Sequence, residues 1–134
     1  LKDLGSSHVL IVAAEDGLDE ISNASSTIIG ELINGEISIK TIAPEDFGIK
    51  RINDYKLLQV DSPDESLALL KKALTYEHQV AGDIVALNAG AAIYAANLKG
   101  SLADGVAEAR LILRSGDALI KLEKLVAFTQ NVGK

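Results

Sequence analysis

The sequence predicts an α/β architecture in which a few strands, two of them a hairpin, are followed by about four helices. Three observations carry that reading. The largely apolar, partly β-branched run His8-Val9-Leu10-Ile11-Val12-Ala13-Ala14 is bounded by a glycine turn and reads as a buried strand. Asn34-Gly35 stands between two apolar runs, which is the strongest short-range hairpin signal. From Ser62 onward apolar residues recur at helical spacing, punctuated by capping residues and glycines.

Leu1 to Gly5 reads as a helical tail ended by Gly5. Ser6 to Ala14 is the first strand, and the acidic turn Glu15-Asp16-Gly17-Leu18-Asp19-Glu20 follows it directly. Ser25 to Ile33 is the outgoing arm of the hairpin. Glu36 to Ile42 is the return arm, with Ile37, Ile39 and Thr41 on one side and Glu36, Ser38, Lys40 and Ile42 on the other. One side of such a hairpin is expected to be largely solvated. Pro44 to Gly48 suits a single helical turn, because Pro is pre-set for a first helical position and Gly for an exit. A short edge strand is expected at Lys56-Leu57-Leu58-Gln59-Val60.

Ser62-Pro63-Asp64-Glu65 is a capping box with proline in the first turn, and Leu67, Leu70 and Leu74 follow at helical spacing. Gly82-Asp83 is expected to open a second helix carrying Ile84, Leu87, Ala91 and Tyr94, ended by Gly100. Its stretch Asn88-Ala89-Gly90-Ala91-Ala92 is small enough to let another element approach closely, which makes this helix central. Ser101-Leu102-Ala103-Asp104 starts a third helix, with Val106, Ala109 and Leu113 inward. Ser115-Gly116 breaks it, and a fourth runs from Asp117 with Leu119, Leu122, Leu125 and Val126 as its apolar positions.

The 134 residues suit one domain or a piece of one, and the core must be aliphatic, because Trp is absent and only three Tyr and two Phe are present. A formal charge of −6 argues against a nucleic-acid surface, where a basic stripe is expected. It does not exclude phosphorylated substrates, since a bound metal can supply positive charge. Without cysteine there is no disulfide, thiol nucleophile or cysteine zinc site. No signal peptide is visible and no apolar stretch reaches the ~18 residues of a membrane span, so a soluble cytoplasmic protein with no membrane partner is the expectation. There is no Met, even at position 1. A processed start or a tag junction would explain that; so would a piece of a longer chain. The strand-poor order favours the second, with further strands expected upstream.

Chemistry is signalled at one place. Four adjacent acidic pairs occur: Glu15-Asp16, Asp19-Glu20, Glu45-Asp46 and Asp64-Glu65. The last two fall in first helical turns, where negative charge complements the macrodipole, and Glu15-Asp16 suits turn chemistry. Asp19 and Glu20 remain, just beyond the carboxyl end of a strand, where open α/β folds bind ligands. Two adjacent carboxylates fit magnesium, which takes one or two protein carboxylates plus waters and phosphate oxygens. They do not make a zinc site. His8 and His78 lack a partner for acid–base work, and His78 is expected at the carboxyl end of the first long helix. Asn88 reads as a satisfied core amide and Tyr94 as packing. No Walker loop or G-x-G-x-x-G is present.

With those residues in hand, the chain resembles the anthranilate phosphoribosyltransferases over nearly its whole length. The landmarks are Asp16-Gly17-Leu18-Asp19-Glu20-Ile21-Ser22, Pro44-Glu45-Asp46-Phe47-Gly48, Leu87-Asn88-Ala89-Gly90-Ala91-Ala92, and Ser101-Leu102-Ala103-Asp104-Gly105 through Ser115-Gly116 to Lys121-Leu122-Glu123-Lys124-Leu125-Val126. The resemblance implies transfer of phosphoribose from phosphoribosyl pyrophosphate to anthranilate in tryptophan biosynthesis. It implies a fold of the phosphoribosyltransferase and nucleoside-phosphorylase type, with residues 1–134 as the C-terminal part of the larger α/β domain. It also implies Mg2+ on Asp19 and Glu20, no covalent enzyme nucleophile, and a homodimer formed largely through an N-terminal helical domain. That domain has no counterpart here. Neither do the family's glycine-rich loop, its Lys-His-Gly-Asn-type stretch, or the arginine and asparagine that hold anthranilate. These residues alone are therefore expected to be inactive. A nucleic-acid-binding relative of the same fold and a nucleoside phosphorylase are the alternatives; the acidic charge disfavours the first and the acidic turn the second.

Overall fold

In a computed structural model of the chain, residues 1–132 are described; the last two positions of the 1–134 span lie outside the described residues. Three strands, β1 (His8–Ala14), β2 (Thr27–Ile33) and β3 (Glu36–Ile42), form one antiparallel sheet in the order β1-β2-β3. Asn34 and Gly35 both take positive φ, 52° and 83°, as a two-residue turn matched to strand twist requires. Val12 stands opposite Ile29, and Ile29 opposite Lys40, which places Leu10, Val12, Ile29 and Ile42 on one face. That face packs on the helices in a core shared with Ile21, Ile49, Leu87, Ala91, Leu102 and Val106.

The hairpin is correctly located by the sequence, and the solvated side of β3 is the one that bears Ile37 and Ile39; β1, expected to be buried, is not. Ile37 and Ile39 are 68% and 77% exposed, and β1 is half-buried, with Ile11 at 60%. The register explains it. Once Ile29 points into the core, period two sends Ile37 and Ile39 the other way. Lys40, on the inward side, reaches the buried Glu31 carboxylate at 3.0 Å. Glu31 also accepts from Tyr94 Oη at 2.6 Å and lies 3.4 Å from His8 Nε2.

Residues 1–5 form a short 3-10 turn (Lys2–Leu4) closed by Gly5, and Pro44–Phe47 forms another closed by Gly48. The expected edge strand at 56–60 is absent. Lys56–Leu58 is a 3-10 turn instead, beginning after Tyr55, whose side chain is anchored elsewhere.

Four helices follow: α1 (Pro63–Leu74), α2 (Gln79–Ala95), α3 (Leu102–Ser115) and α4 (Asp117–Asn131). Ser62 Oγ caps α1 by accepting the Glu65 N–H at 3.2 Å; the Glu65 carboxylate takes the Asp61 N–H, one residue outside the expected box. α2 starts three residues before the expected Gly82. His78 is its N-cap, with Nδ1 accepting the Ala81 N–H at 3.2 Å, so it is not the helix-end cation expected of α1. α2 also stops at Ala95, before Gly100, with Asn97 left-handed behind it.

α2 is central, as its small residues require. A Cβ on Gly105 would lie 2.3 Å from the Gly90 carbonyl oxygen, and one on Gly90 would lie 2.5 Å from Val106 N and Cα. Only paired glycines let these backbones touch. Val106, Ala109 and Leu113 are buried in α3 as expected. α4 is looser than its pattern suggests: none of its residues is buried, and Leu125 is 56% exposed. Among the described residues no helix is long and apolar enough to cross a membrane.

Candidate metal centre

The acidic turn grows out of the end of β1. Ala14 N donates to the Leu18 carbonyl at 3.0 Å, and Gly17 N to the Ala14 carbonyl at 3.1 Å. Gly17 takes φ 93°, which favours glycine. The Asp16 carboxylate then folds back as an Asx turn, with Oδ1 accepting the Leu18 N–H at 3.2 Å. Its Oδ2 accepts from Ser22 Oγ at 2.7 Å and Tyr55 Oη at 2.5 Å. Burial pushes the Asp16 carboxyl up, but the bonds from Tyr55, Ser22, the Leu18 N–H and Ser25 together outweigh it and hold it below its ordinary value. Burial, then donation to Asp16, push the Tyr55 phenol up, and the charge of nearby Glu20 adds to this.

On the other side the turn is tied to α2. Asn88 Oδ1 accepts the Ile21 N–H at 2.8 Å, and Asn88 Nδ2 donates to the Ile21 carbonyl at 2.9 Å. The same Nδ2 donates to the Ile84 carbonyl one turn back at 3.0 Å. Asn88 is thus a satisfied amide, as the sequence suggests, but it satisfies a loop 67 residues away. Asn23 Nδ2 adds a bond to the Val80 carbonyl at 2.9 Å. Ile21, Ser22 and Asn23 are all buried.

The four acidic pairs now separate. Glu45 takes Arg51 at 3.0 and 3.1 Å, and Asp46 takes the Ala43 N–H at 2.8 Å. Glu65 caps Asp61, and Asp16 holds the turn itself. Asp19 and Glu20 are exposed, and among the described residues neither side chain enters a hydrogen bond or ion pair with the rest of the chain. Two hard carboxylates on a pinned backbone fit the sparse protein share of a magnesium site. Among the described residues no three His, Asp or Glu side chains gather as a complete metal cage, and a site of one or two carboxylates is one whose other ligands are waters or phosphate oxygens.

A groove of about 460 Å³ runs beside Glu20, walled by Ile84, Val85, Asn88 and Ala89 of α2. Another, of about 420 Å³, lies between residues 50–54 and the amino end of α2. Its Arg51, Asp54 and Asp83 are already engaged by Glu45, Lys56 and Tyr76. His8 is walled in between Asn97, Glu31 and the Tyr94 ring, away from the turn. Sequence reasoning singled out Asp19 and Glu20 and did not pick out Tyr55 and Ser22, which hold the turn that carries them. The only local signal was Asp-Gly at 16–17, which marks the turn but not its partners.

Comparison with known proteins places this geometry in context. A profile described as "Glycosyl transferase family, a/b domain" matches residues 1–119. The chain is 45% identical over 130 residues to the anthranilate phosphoribosyltransferase of Burkholderia multivorans, covering 97% of this chain and 38% of that protein. It is 48% identical over 129 residues to that of Delftia acidovorans, covering 96% and 37%. Among solved structures, the anthranilate phosphoribosyltransferase of Thermus thermophilus superposes with a TM-score of 0.83 at 36% identity, over 96% of this chain and 37% of that one. The Saccharomyces cerevisiae anthranilate phosphoribosyltransferase in complex with PRPP and Mg shares the fold, with a TM-score of 0.73 at 21% identity over 87% and 33%. The chain therefore spans little more than a third of the length of these relatives.

Proposed function

The chain belongs to the glycosyl transferase family through its a/b domain, and on that premise we propose that it supplies the metal-holding corner of an anthranilate phosphoribosyltransferase. The reaction is transfer of phosphoribose from phosphoribosyl pyrophosphate to the amine of anthranilate, with pyrophosphate leaving. The observation that carries the proposal is the pair Asp19 and Glu20: exposed, engaged by no other side chain among the described residues, and mounted on a backbone locked on both flanks. Support comes from the identity of 45–48% to proteins bearing that activity.

Asp19 and Glu20 would hold magnesium. Bound there, it would screen the donor's diphosphate and stabilise the charge that develops on the leaving pyrophosphate. Asp16 is not a ligand in this reading, because both of its oxygens are spent on the turn. The groove beside Glu20 leaves room for a substrate against the small residues of α2. Because the chain covers 38% of its relative's length, we assign it a corner of the active site and no turnover of its own.

Two measurements test the proposal. In a full-length enzyme carrying this chain, Asp19→Ala with Glu20→Ala should raise the magnesium requirement and the KM for phosphoribosyl pyrophosphate by roughly ten-fold or more, the factor that 1.4 kcal/mol of lost contact represents. The melting temperature should stay put, since exposed substitutions of this kind change stability by about 0.5 kcal/mol or less. Unaltered kinetics across a magnesium titration would remove the metal role. Product formation by the purified 134-residue chain would remove the claim that it is only a corner.

A further inference from the structure

We propose that Asn88 and Tyr55 are positioning residues that set the geometry of the metal-binding carboxylates; this rests on the metal reading of Asp19 and Glu20. Neither Asn88 nor Tyr55 carries a charge to offer the ion, and both are committed to the loop's own groups. Their value lies in what they immobilise. The Ile21 N–H belongs to the peptide plane that begins at the Glu20 carbonyl. Asn88 Oδ1 holds that N–H at 2.8 Å while Asn88 Nδ2 holds the next carbonyl at 2.9 Å. One side chain thus fixes two successive peptide planes, as a neighbouring strand would. It does so from the middle of α2, the most tightly packed helix, where Nδ2 is itself oriented by the Ile84 carbonyl. That first plane contains the Glu20 Cα, so Asn88 fixes the point from which the Glu20 side chain leaves the backbone.

Tyr55 does the same for the other flank. Its hydroxyl reaches Asp16 Oδ2 at 2.5 Å and Ser22 Oγ at 2.7 Å, and Ser22 Oγ in turn accepts the Ala24 and Ser25 N–H groups at 2.8 and 3.0 Å. Residues 16–18 and 21–25 are therefore held, leaving Asp19 and Glu20 as the only stretch between clamps. An adjacent carboxylate pair in a mobile loop would have to be ordered by the ion at a cost in binding. Ordered beforehand, it binds the ion with its directions already set. Groups that only orient metal ligands change affinity by roughly 10–100-fold when removed.

The test uses the 134-residue chain, labelled with 15N and titrated with Mn2+ as a paramagnetic stand-in for magnesium. Manganese should broaden the amides of residues 18–21 well before those of α4. Asp19→Ala with Glu20→Ala should abolish that selectivity. Asn88→Ala should raise the apparent Mn2+ dissociation constant by roughly 10-fold or more, with the signals of α3 unmoved, and Tyr55→Phe by several-fold. A merely structural amide would lower the melting temperature and leave the dissociation constant alone. If the unmodified chain shows no selective broadening, the metal reading fails and this inference goes with it. If it broadens, the double variant does not, and Asn88→Ala and Tyr55→Phe keep the original constant, the metal reading stands and the positioning role is overturned. Should Asn88→Ala fail to fold, Tyr55→Phe decides: an unchanged constant overturns the inference, a raised one supports it.

Discussion

The seam between α2 and α3 and the acidic turn are both rigid, by opposite means. At the seam there are no side chains where the backbones cross: Gly90 and Gly105 meet directly, and Val106, Ala109 and Leu113 close the space around them. Its rigidity comes from packing and has no room to give. The acidic turn contributes little apolar surface apart from Ile21, and its order comes from directed bonds made by Asn88, Asp16, Ser22 and Tyr55. Packing resists any change of volume but leaves no polar group free. Directed bonds hold a backbone while letting two carboxylates face outward. The difference separates a part of the molecule held by packing from a part whose outward carboxylates are left free of the fold.

The largest effect should come from breaking the seam. Gly105→Ala places a methyl group 2.3 Å from the Gly90 oxygen, a separation that only backbone movement can relieve. Overpacking of this kind costs about 3 kcal/mol or more at the upper end of its range. In a chain of this size that lowers the melting temperature by on the order of 10 °C, readable by circular dichroism. Gly100→Ala is the control, since nothing lies within 4 Å of a Cβ there. Equal melting temperatures for the two variants would mean that the helices do not touch as described.

A smaller effect is expected at Glu31, which lies under the sheet and resembles the acidic turn in being held by directed bonds, but is buried. Burial pushes its carboxyl up; Tyr94, Lys40 and His8 together outweigh this and hold it below its ordinary value of 4.5. A depressed carboxyl contributes stability that is complete above its unfolded value and is lost as pH falls through the folded one. Tyr94→Phe removes one donor to a charged acceptor, a loss of about 1.5–3 kcal/mol near neutral pH. The loss should shrink in acid, where the protonated carboxyl no longer gains from that donor. Urea melts above and below the ordinary carboxylate range check this, and an identical loss in both would show that Tyr94 acts by packing alone.

How much of this was legible follows from range. The hairpin was readable because Asn34 and Gly35 announce their own positive φ, and α1 and α3 because Ser62 and Ser101 cap within three residues. Asp19 and Glu20 stand out in the sequence because each competing acidic pair has a local reason to exist. What could not be read was pairing at a distance. Nothing near Asn88 says that it will hold residue 21, and nothing near Tyr55 says that it will reach Asp16 across 39 residues and leave Lys56–Leu58 a turn instead of a strand. His78 was misplaced because a histidine before a helix can be a final cation or an opening acceptor; only the Ala81 N–H decides.

The sheet's two faces supply the finest comparison, because alternation shows that β3 has two sides without showing which is covered. Ile29 is fully buried and Ile39 is 77% exposed, although both are isoleucines in neighbouring strands. Ile29→Ala should cost about 2–5 kcal/mol, since it leaves a cavity between the sheet and α2. Ile39→Ala in this chain should cost about 0.5 kcal/mol or less, because little of that side chain leaves water on folding. Equilibrium unfolding of both variants by denaturant, with unchanged slopes, makes the comparison direct. A cost at Ile39 approaching that at Ile29 would mean that the outer face is covered when the chain is in solution, and the register that turns Ile37 and Ile39 outward would then have to be reconsidered together with the inward placement of Lys40 against Glu31.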